Sequence, residues 1–381
     1  MDFIKLQAEE VFDGKRLLGE KVLVLRTDGT VEAITEAVNA GDDVQYVEGM
    51  LSPGFINCHC HLELSHLRAQ IAENTGLAGF VQEVVTRRAA NEEEVQQAIA
   101  DAVDEMRQNG IVAVGDICNT TKTIAQKANG HLYFHNFIEV LGFDPAIAQK
   151  NFDLFEKIFL DFIEKLPAAR SSLTLHAPYS ISDELWQKTV CYPDNDIISI
   201  HNQETPDENL WFEKKEGAFA DMYRRMKLDT AHFIPSGKTS LQTYGSRFLP
   251  DQSLTLVHNV HTSQADIDFT KTLPNKIFWC LCPHANEYIS RTLPDVKMFL
   301  ANNCTVVLGT DSLASNHQLS IWEEIKLLRK HFPDIMLEEM LRWATLNGAQ
   351  ALKIDATYGS FEKGKKPGVV QLVVNKAKTL M

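Results

Sequence analysis

Apolar and amphipathic segments alternate through most of this 381-residue chain. Between residues 54 and 309, eight short runs rich in β-branched and aromatic residues are bounded by polar or turn-forming residues, which predicts a strand for each run. Amphipathic stretches separate these runs, and one of them repeats phenylalanine at helical spacing, at positions 152, 155, 159 and 162. We predict helices over residues 92–108 and 150–165, and strands over residues 54–57, 111–117, 132–140, 172–176, 197–201, 254–258, 277–282 and 305–309.

Eight strand–helix units in this order predict an α/β fold of the (β/α)8 TIM-barrel type, because parallel strands need long crossover connections that are usually helices. The pattern of apolar and polar residues differs at both ends of the chain. There, short β-type pieces are separated by turn signals such as Asp13-Gly14 and Asp28-Gly29. We therefore predict a small β-sandwich domain built from residues 1–52 and 356–381, beside a barrel of residues 53–355.

Composition narrows the class of protein. A formal net charge of −14 argues against a nucleic-acid partner, since phosphates would repel it. Seven scattered cysteines indicate reduced thiols and a cytoplasmic protein. We expect no membrane partner, because the N-terminus lacks the apolar core of a signal peptide and no apolar run approaches ~20 residues. The expected partner is a small-molecule substrate, and the sequence leaves a homodimer open.

Residues that bind metals or exchange protons stand where the predicted strands end. His59 and His61 are two residues apart, so in an extended chain both point to the same side and can share a metal ion. Packing alone would favour apolar residues at such positions, whereas the C-terminal strand ends of a barrel carry its chemistry. We therefore predict a mononuclear metal site from these residues and from others that follow later strands: His176, His201, Glu204, His258 and Asp311.

The order of these motifs resembles the amidohydrolase superfamily over nearly the whole chain. It is most similar to the branch of metal-dependent deaminases and chlorohydrolases, which includes cytosine, guanine and S-adenosylhomocysteine deaminases. No lysine follows the fourth strand to bridge a second metal, and His176 stands there instead. The resemblance implies one divalent metal, Zn²⁺ or alternatively Fe²⁺, held by His59, His61, His201 and Asp311. The segments that carry it are PGFINCHCHLE, HAPYS, HNQE, HNVH, CPHAN, GTDSLASN and ATLNGAQAL.

The resemblance also implies roles in catalysis. The metal would lower the pKa of a bound water, so that hydroxide forms near pH 7. Asp311 would both contact the metal and take the proton of the water, and Glu204 would shuttle a proton to the ring nitrogen of an amidine-like substrate. His258 would steady the tetrahedral intermediate. The alternatives are a solvated helix-start carboxylate for Glu204 and a supporting role for His258.

The substrate is less well defined. His176 resembles a residue that touches substrate in adenosine-type deaminases, and a structural imidazole is the alternative. Many members carry a tryptophan and, nine residues later, an acid that holds ribose hydroxyl groups; this chain has Phe80 and Ala89 there, with Arg88 one residue earlier. Arg88 would bind a substrate carboxylate through two hydrogen bonds, unless it is a solvated cation at a helix end.

The segment after Glu204 is similar to the insertion of aminodeoxyfutalosine deaminases, whose substrate joins an adenine-type nucleoside to a carboxyphenyl group. We therefore expect a zinc-dependent deaminase of an aminopurine-type nucleoside or heterocycle, with an aminodeoxyfutalosine-like substrate as the best candidate. The alternatives are deamination of S-adenosylhomocysteine, methylthioadenosine or guanine, and a chlorohydrolase or amide hydrolase of the same superfamily. A non-hydrolytic binding protein on the same fold is disfavoured, because the set of expected site residues is complete.

Overall fold

Strands near the start of the chain build most of a mixed sheet, in a computed structural model that describes residues 3–373 and 376–381. The first strand pairs antiparallel with the third and parallel with the fifth. Gly14, at φ +104°, turns the chain after the first strand, where a Cβ would come within 2.5 Å of the Gly359 carbonyl oxygen. These strands are β1 (Phe3–Phe12), β2 (Leu17–Leu18), β3 (Lys21–Arg26), β4 (Val31–Thr35) and β5 (Val44–Pro53).

The next eight strands form two parallel sheets of four strands each. Each of the eight strands predicted from the sequence is observed, with ends displaced by no more than three residues. Most of their residues are buried, as expected for parallel strands that are covered on both faces. The first sheet contains β6 (Phe55–Cys60), β7 (Ile111–Cys118), β8 (Tyr133–Val140) and β9 (Arg170–Leu175), and the second contains β10 (Ile197–Asn202), β11 (Ser253–His258), β12 (Lys276–Leu281) and β13 (Thr305–Leu308).

Helices lie between these strands and after the last one. The repeated phenylalanines lie on one of them, where Phe155 and Phe162 are buried in the main core and Phe152 and Phe159 pack against it. The helices are α1 (Gly76–Arg87), α2 (Glu92–Gln108), α3 (Ile124–Lys127), α4 (Ala148–Lys165), α5 (Asp183–Val190), α6 (Pro206–Lys214), α7 (Ala218–Arg225), α8 (Ser240–Tyr244), α9 (Gln264–Thr270), α10 (Pro283–Ser290), α11 (Val296–Ala301), α12 (Ile321–His331), α13 (Leu337–Arg342) and α14 (Gly348–Ala351). No helix in the described ranges combines the length and the apolar character that crossing a membrane requires.

The end of the chain returns to the first sheet. Strand β14 (Val369–Val373) pairs antiparallel with β5 and with β15 (Lys376–Thr379). Residues from both ends of the chain therefore lie in one seven-stranded sheet. The domain boundaries after residues 52 and 355 stay predictions.

Backbone hydrogen bonds join the two parallel sheets on both sides. On one side, His201 N–H donates to the His176 carbonyl oxygen at 3.0 Å. On the other, the N–H groups of Thr310 and Asp311 donate to the His59 carbonyl oxygen at 3.1 and 3.0 Å. All of these residues lie at or just after the C-terminal ends of strands, so these ends of the two sheets face one another.

Candidate active site

Three histidine rings converge where β6 and β10 end. The Nε2 atom of His61 lies 3.1 Å from His59 Nε2 and 3.3 Å from His201 Nε2. A carboxylate oxygen of Asp311 lies 3.7 Å from His59 Nε2 and 3.5 Å from His61 Nε2. The structure therefore brings together the four side chains predicted as metal ligands, and all four residues are buried.

The spacing of these ligand atoms suits a tetrahedral metal ion. Zn²⁺ binds imidazole nitrogen at ~2.0–2.1 Å, so two nitrogens at corners of a regular tetrahedron lie about 3.3–3.4 Å apart. The observed separations fall on both sides of that value. Burial lowers the pKa of His59 and of His201, so these rings are neutral and offer lone pairs to a cation. This donor set fits Zn²⁺, and imidazole with carboxylate also suits Fe²⁺.

Strand geometry and a glycine place the first and last strands against each other. His59 lies within β6 and His61 follows it directly, so alternation aims both rings to one side. In the strand end opposite, a Cβ on Gly309 would lie 2.8 Å from the Cβ of His59. Glycine at this position therefore allows the close approach that delivers Asp311 to the two histidines.

Asp311 is held as an ionised ligand. Its backbone lies in the left-handed region, at φ 57°, and Ser315 Oγ donates a hydrogen bond of 2.6 Å to its Oδ2 atom. Its Oδ1 atom faces His59 and His61. Burial alone would raise the pKa of Asp311, but the hydrogen bond with His59 and the nearby imidazoles of His61 and His258 outweigh it and hold the pKa below its ordinary value. The carboxylate is therefore ionised and available as a metal ligand.

The ring of His201 is fixed by the strand next to it. Its Nδ1–H donates to the carbonyl oxygen of His176 at 2.7 Å, which leaves Nε2 directed at the other two histidines. The carboxylate of Glu139, at the end of β8, lies 3.5 Å from the same Nδ1 atom. Glu139 was not predicted as a site residue, although it carries the same signal as the others, an ionisable residue at the end of an apolar strand.

Glu204 is a buried acid beside the ligands. It lies in the loop between β10 and α6, only 7% exposed, with a carboxylate oxygen 3.7 Å from His258 Nε2. Burial raises the pKa of Glu204 well above its ordinary value, and the carboxylates of Asp311 and Glu208 raise it further. Burial likewise raises the pKa of Glu208 to about 7. Glu204 therefore holds a proton more readily than an exposed carboxyl, and it is not the solvated helix-start residue of the alternative interpretation.

His258 is a neutral hydrogen-bond donor. It ends β11 at φ 73°, and the side-chain amide of Asn286 donates to its Nδ1 atom at 3.0 Å. Burial lowers the pKa of His258 to about 3, so the ring carries one proton at neutral pH. Because Nδ1 is an acceptor, that proton lies on Nε2, the atom that faces Glu204.

His176 lies next to the ligand group. Its Nδ1 atom forms a hydrogen bond of 2.8 Å with Ser180 Oγ, and its ring centre lies 5.0 Å from that of His201. The ring is partly buried, whereas the four predicted ligands are buried. Contact of His176 with the substrate stays a prediction.

Arg88 has a partner within the protein. It directly follows α1, and its Nη2 atom donates to Glu63 Oε1 at 3.0 Å. The other oxygen of Glu63, which is buried, accepts the backbone N–H groups of Asn119 and Thr120. The side chain of Arg88 is 39% exposed, so it is a partly covered ion-pair partner and not a solvated helix-end cation. Its binding of a substrate carboxylate stays a prediction.

Several known proteins are similar to this chain in sequence, in structure or in both. The amidohydrolase family profile matches residues 50–377. An adenosine deaminase from Helicobacter pylori is 27% identical over 327 residues, covering 84% of this chain and 78% of that protein. A 5-methylthioadenosine/S-adenosylhomocysteine deaminase from Pyrococcus abyssi is 27% identical over 375 residues, covering 94% and 82%. The crystal structure of Helicobacter pylori aminofutalosine deaminase with methylthio-coformycin superposes with a TM-score of 0.85 at 22% identity, covering 99% of this chain and 97% of that one, which shows a common fold.

Proposed function

The chain belongs to the amidohydrolase family, and on that premise we propose that it is a zinc-dependent hydrolytic deaminase of an aminopurine-type nucleoside. The observation that carries the proposal is the position of Glu204. A buried acid with a raised pKa lies beside the donor of His258 and next to a group of three histidines and one aspartate. Proton donation to a ring nitrogen, which makes the adjacent carbon electrophilic, needs such an acid at this point.

Each side chain of the site has its own role in the proposed reaction. A divalent ion held by His59, His61, His201 and Asp311 would lower the pKa of a water molecule toward neutrality. Asp311 accepts the proton that the attacking water gives up, and Glu204 donates a proton to the ring nitrogen of the substrate. His258 donates its Nε2–H to the oxygen that adds to the ring carbon. Asp311 then passes the proton that it took from the water to the amino group, so that ammonia leaves, and Glu204 regains a proton from the added hydroxyl group as the carbonyl group of the product forms.

Aromatic side chains near Glu204 support the proposal of a planar heterocyclic substrate. Burial raises the pKa of Tyr179, and the nearby carboxylate of Glu204 raises it further. Tyr179 also stacks on Phe219 of α7, with 4.0 Å between the ring centres. Phe80 of α1 belongs to the same apolar cluster. Ligand sites of this kind combine an apolar lining with a few placed polar groups.

Among such nucleosides, we propose an aminodeoxyfutalosine-like substrate, with its carboxylate bound by Arg88. The salt bridge to Glu63 holds the guanidinium in place but also offsets part of its charge. We therefore expect the gain for a carboxylate-bearing substrate to lie near the lower end of the range for a charge-assisted pair, about tenfold.

We also propose that the eight parallel strands close into one barrel, beside a small β-sandwich domain. The hydrogen bonds between the sheets on both sides support closure. Side chains from both sheets, among them Cys58, Phe137, Val257 and Phe278, meet in one buried cluster, as the inward-facing residues of a barrel would. The small domain has an apolar cluster of its own, formed by residues of β1, β3, β5 and β14.

The test of the proposed function is a product assay on the zinc-loaded protein. Aminodeoxyfutalosine, adenosine, methylthioadenosine, S-adenosylhomocysteine and guanine are each assayed for ammonia release, and a chlorinated triazine is assayed for chloride release. We expect ammonia from the aminopurine nucleosides. Chloride release alone, or no ammonia from any of these compounds, would overturn the proposal.

A further inference from the structure

Glu139 is a buried carboxylate that the proposed reaction does not use. It is 2% exposed at the end of β8. One of its oxygens, Oε2, accepts a hydrogen bond of 2.9 Å from the side-chain amide of Asn119. The other, Oε1, is buried and has no hydrogen-bond partner among the residues that the structure describes. Because an unsatisfied buried carboxylate oxygen destabilises a protein, such an atom calls for a physical reason.

The Glu139 oxygen that lacks a hydrogen-bond partner lies on the Nδ1 side of the predicted metal ligand His201. Oε1 lies 3.5 Å from Nδ1 of His201. The same Nδ1–H donates to the His176 carbonyl oxygen at 2.7 Å, so Oε1 lies near this N–H group without accepting its hydrogen bond. The opposite nitrogen, Nε2, is the one directed at the other histidines.

We propose that Glu139 is a positioning residue for His201. Its negative charge behind the ring favours the Nδ1–H tautomer and makes Nε2 a more basic ligand for the metal. This role rests on the proposed metal-dependent function, but it concerns metal binding and not the chemistry of the substrate.

A second cation beside Glu139 is the competing explanation. Glu139, His176 and His201 each offer a ligand atom, and these atoms lie within 4.8 Å of one another. In such a site, however, His201 would have to bridge two ions, and its Nδ1 proton is already donated to a carbonyl oxygen. The Nδ1 atom of His176 is likewise bonded to Ser180. Too few free ligand atoms remain for a second ion.

The test measures metal affinity without any substrate. Metal-free wild type, Glu139→Gln and Glu63→Gln compete with a chromophoric chelator for Zn²⁺, and the stoichiometry of binding is recorded. Glu63 is the matched control, since it is also a buried carboxylate that accepts a hydrogen bond from Asn119 but does not contact a ligand. We expect Glu139→Gln to bind Zn²⁺ ~10–100-fold more weakly than wild type, as is typical for partners of metal ligands. We expect Glu63→Gln to bind like wild type.

Wild-type affinity in Glu139→Gln, an equal loss in both variants, or two equivalents of zinc in wild type would each overturn the proposal. Thermal unfolding of the metal-free proteins separates positioning from general damage. Because Oε1 of Glu139 has no hydrogen-bond partner to lose among the described residues, a positioning role predicts that metal-free Glu139→Gln melts no lower than wild type. Should Glu139→Gln not fold, Asn119→Ala offers a second route. It releases Oε2 of Glu139 and should also weaken zinc binding, whereas unchanged affinity would count against the proposal. A wild type that binds zinc but deaminates nothing would contradict the proposed function and leave this inference intact.

Discussion

The two parallel sheets supply the site in different ways. In the first sheet, the ligands follow from strand geometry, because His59 lies within β6 and His61 comes directly after it. In the second, the residues at the strand ends leave the extended conformation. Gln203, His258 and Asp311 all have positive φ angles, of 47°, 73° and 57°. Such conformations are unfavourable for residues other than glycine and persist where the surroundings hold them.

A buried polar network holds the strand ends of the second sheet. Asp266 accepts hydrogen bonds from the side chain of Gln203 and from the backbone N–H of Ser263, and so ties the loop after β10 to the loop after β11. The side chain of Asn202 donates to that of Asn259 at 3.0 Å. The first sheet therefore positions its ligands through regular strand structure. The second sheet also carries one ligand within a strand, His201 of β10, but it positions Glu204 and His258 through chain segments that the network supports.

The largest loss of activity should follow removal of the metal ion that residues of both sheets would bind. A chelator that removes the metal should abolish turnover, because His59 and His61 from one sheet and His201 and Asp311 from the other then hold no ion. Adding Zn²⁺ back should restore it. Turnover and elemental analysis on the same samples provide the measurement. Full activity in protein that carries no metal would show that the sheets do not meet at a metal site.

The second largest effect should distinguish the proposed general acid, Glu204, from the proposed metal ligand, Asp311. Glu204→Gln should lower kcat by ~10²–10⁴-fold, the usual contribution of a general acid–base group, and should keep its metal. Asp311→Asn is the comparison variant and should lose both rate and zinc affinity, because Asp311 lies among the ligand atoms. Steady-state kinetics and metal content distinguish the two. Wild-type turnover in Glu204→Gln would refute the assigned role.

The difference between the sheets also explains what could be predicted from the sequence. Apolar runs and helical spacing were sufficient for the eight strands and for helices α2 and α4. Period-two alternation predicted that His59 and His61 point to the same side. Their assignment as metal ligands rested on the histidines and the aspartate at the later strand ends. The ion pair between Arg88 and Glu63 could not be predicted, because it joins residues 25 positions apart that no local pattern connects. The contact of Asn286 with His258 depends in the same way on tertiary packing between α10 and β11.

A smaller effect is expected at the end of α1, beside the first sheet. Arg88→Met should erase a preference of about tenfold for substrates that carry a carboxylate far from the reacting amine, because the charge-assisted pair is lost. Neutral adenosine analogues should be almost unaffected. The measurement is kcat/KM for aminodeoxyfutalosine and methylthioadenosine in both enzymes. The same preference in wild type and variant would show that Arg88 serves only Glu63.

The smallest effect concerns stability. The pKa of Glu204 is raised in the folded protein above its ordinary value of 4.5. Between the two values the unfolded chain releases this proton while the folded protein keeps it, so the fold loses stability as pH rises through that interval. Glu204→Gln removes this penalty. Metal-free Glu204→Gln should therefore melt at a higher temperature than wild type at alkaline pH, and the difference should disappear below about pH 4.5. A difference that is independent of pH would mean that Glu204 is not the titrating group.

The most direct test of the account is a zinc titration of the metal-free wild type, followed by ammonia release from the best aminopurine nucleoside in ¹⁸O-labelled water. Activity should rise in proportion to added zinc and level off at a single equivalent. The product should gain one labelled oxygen for each ammonia released. Ammonia release that is independent of zinc, or a product without labelled oxygen, would contradict the claim that strand ends of both sheets form one metal-dependent hydrolytic site.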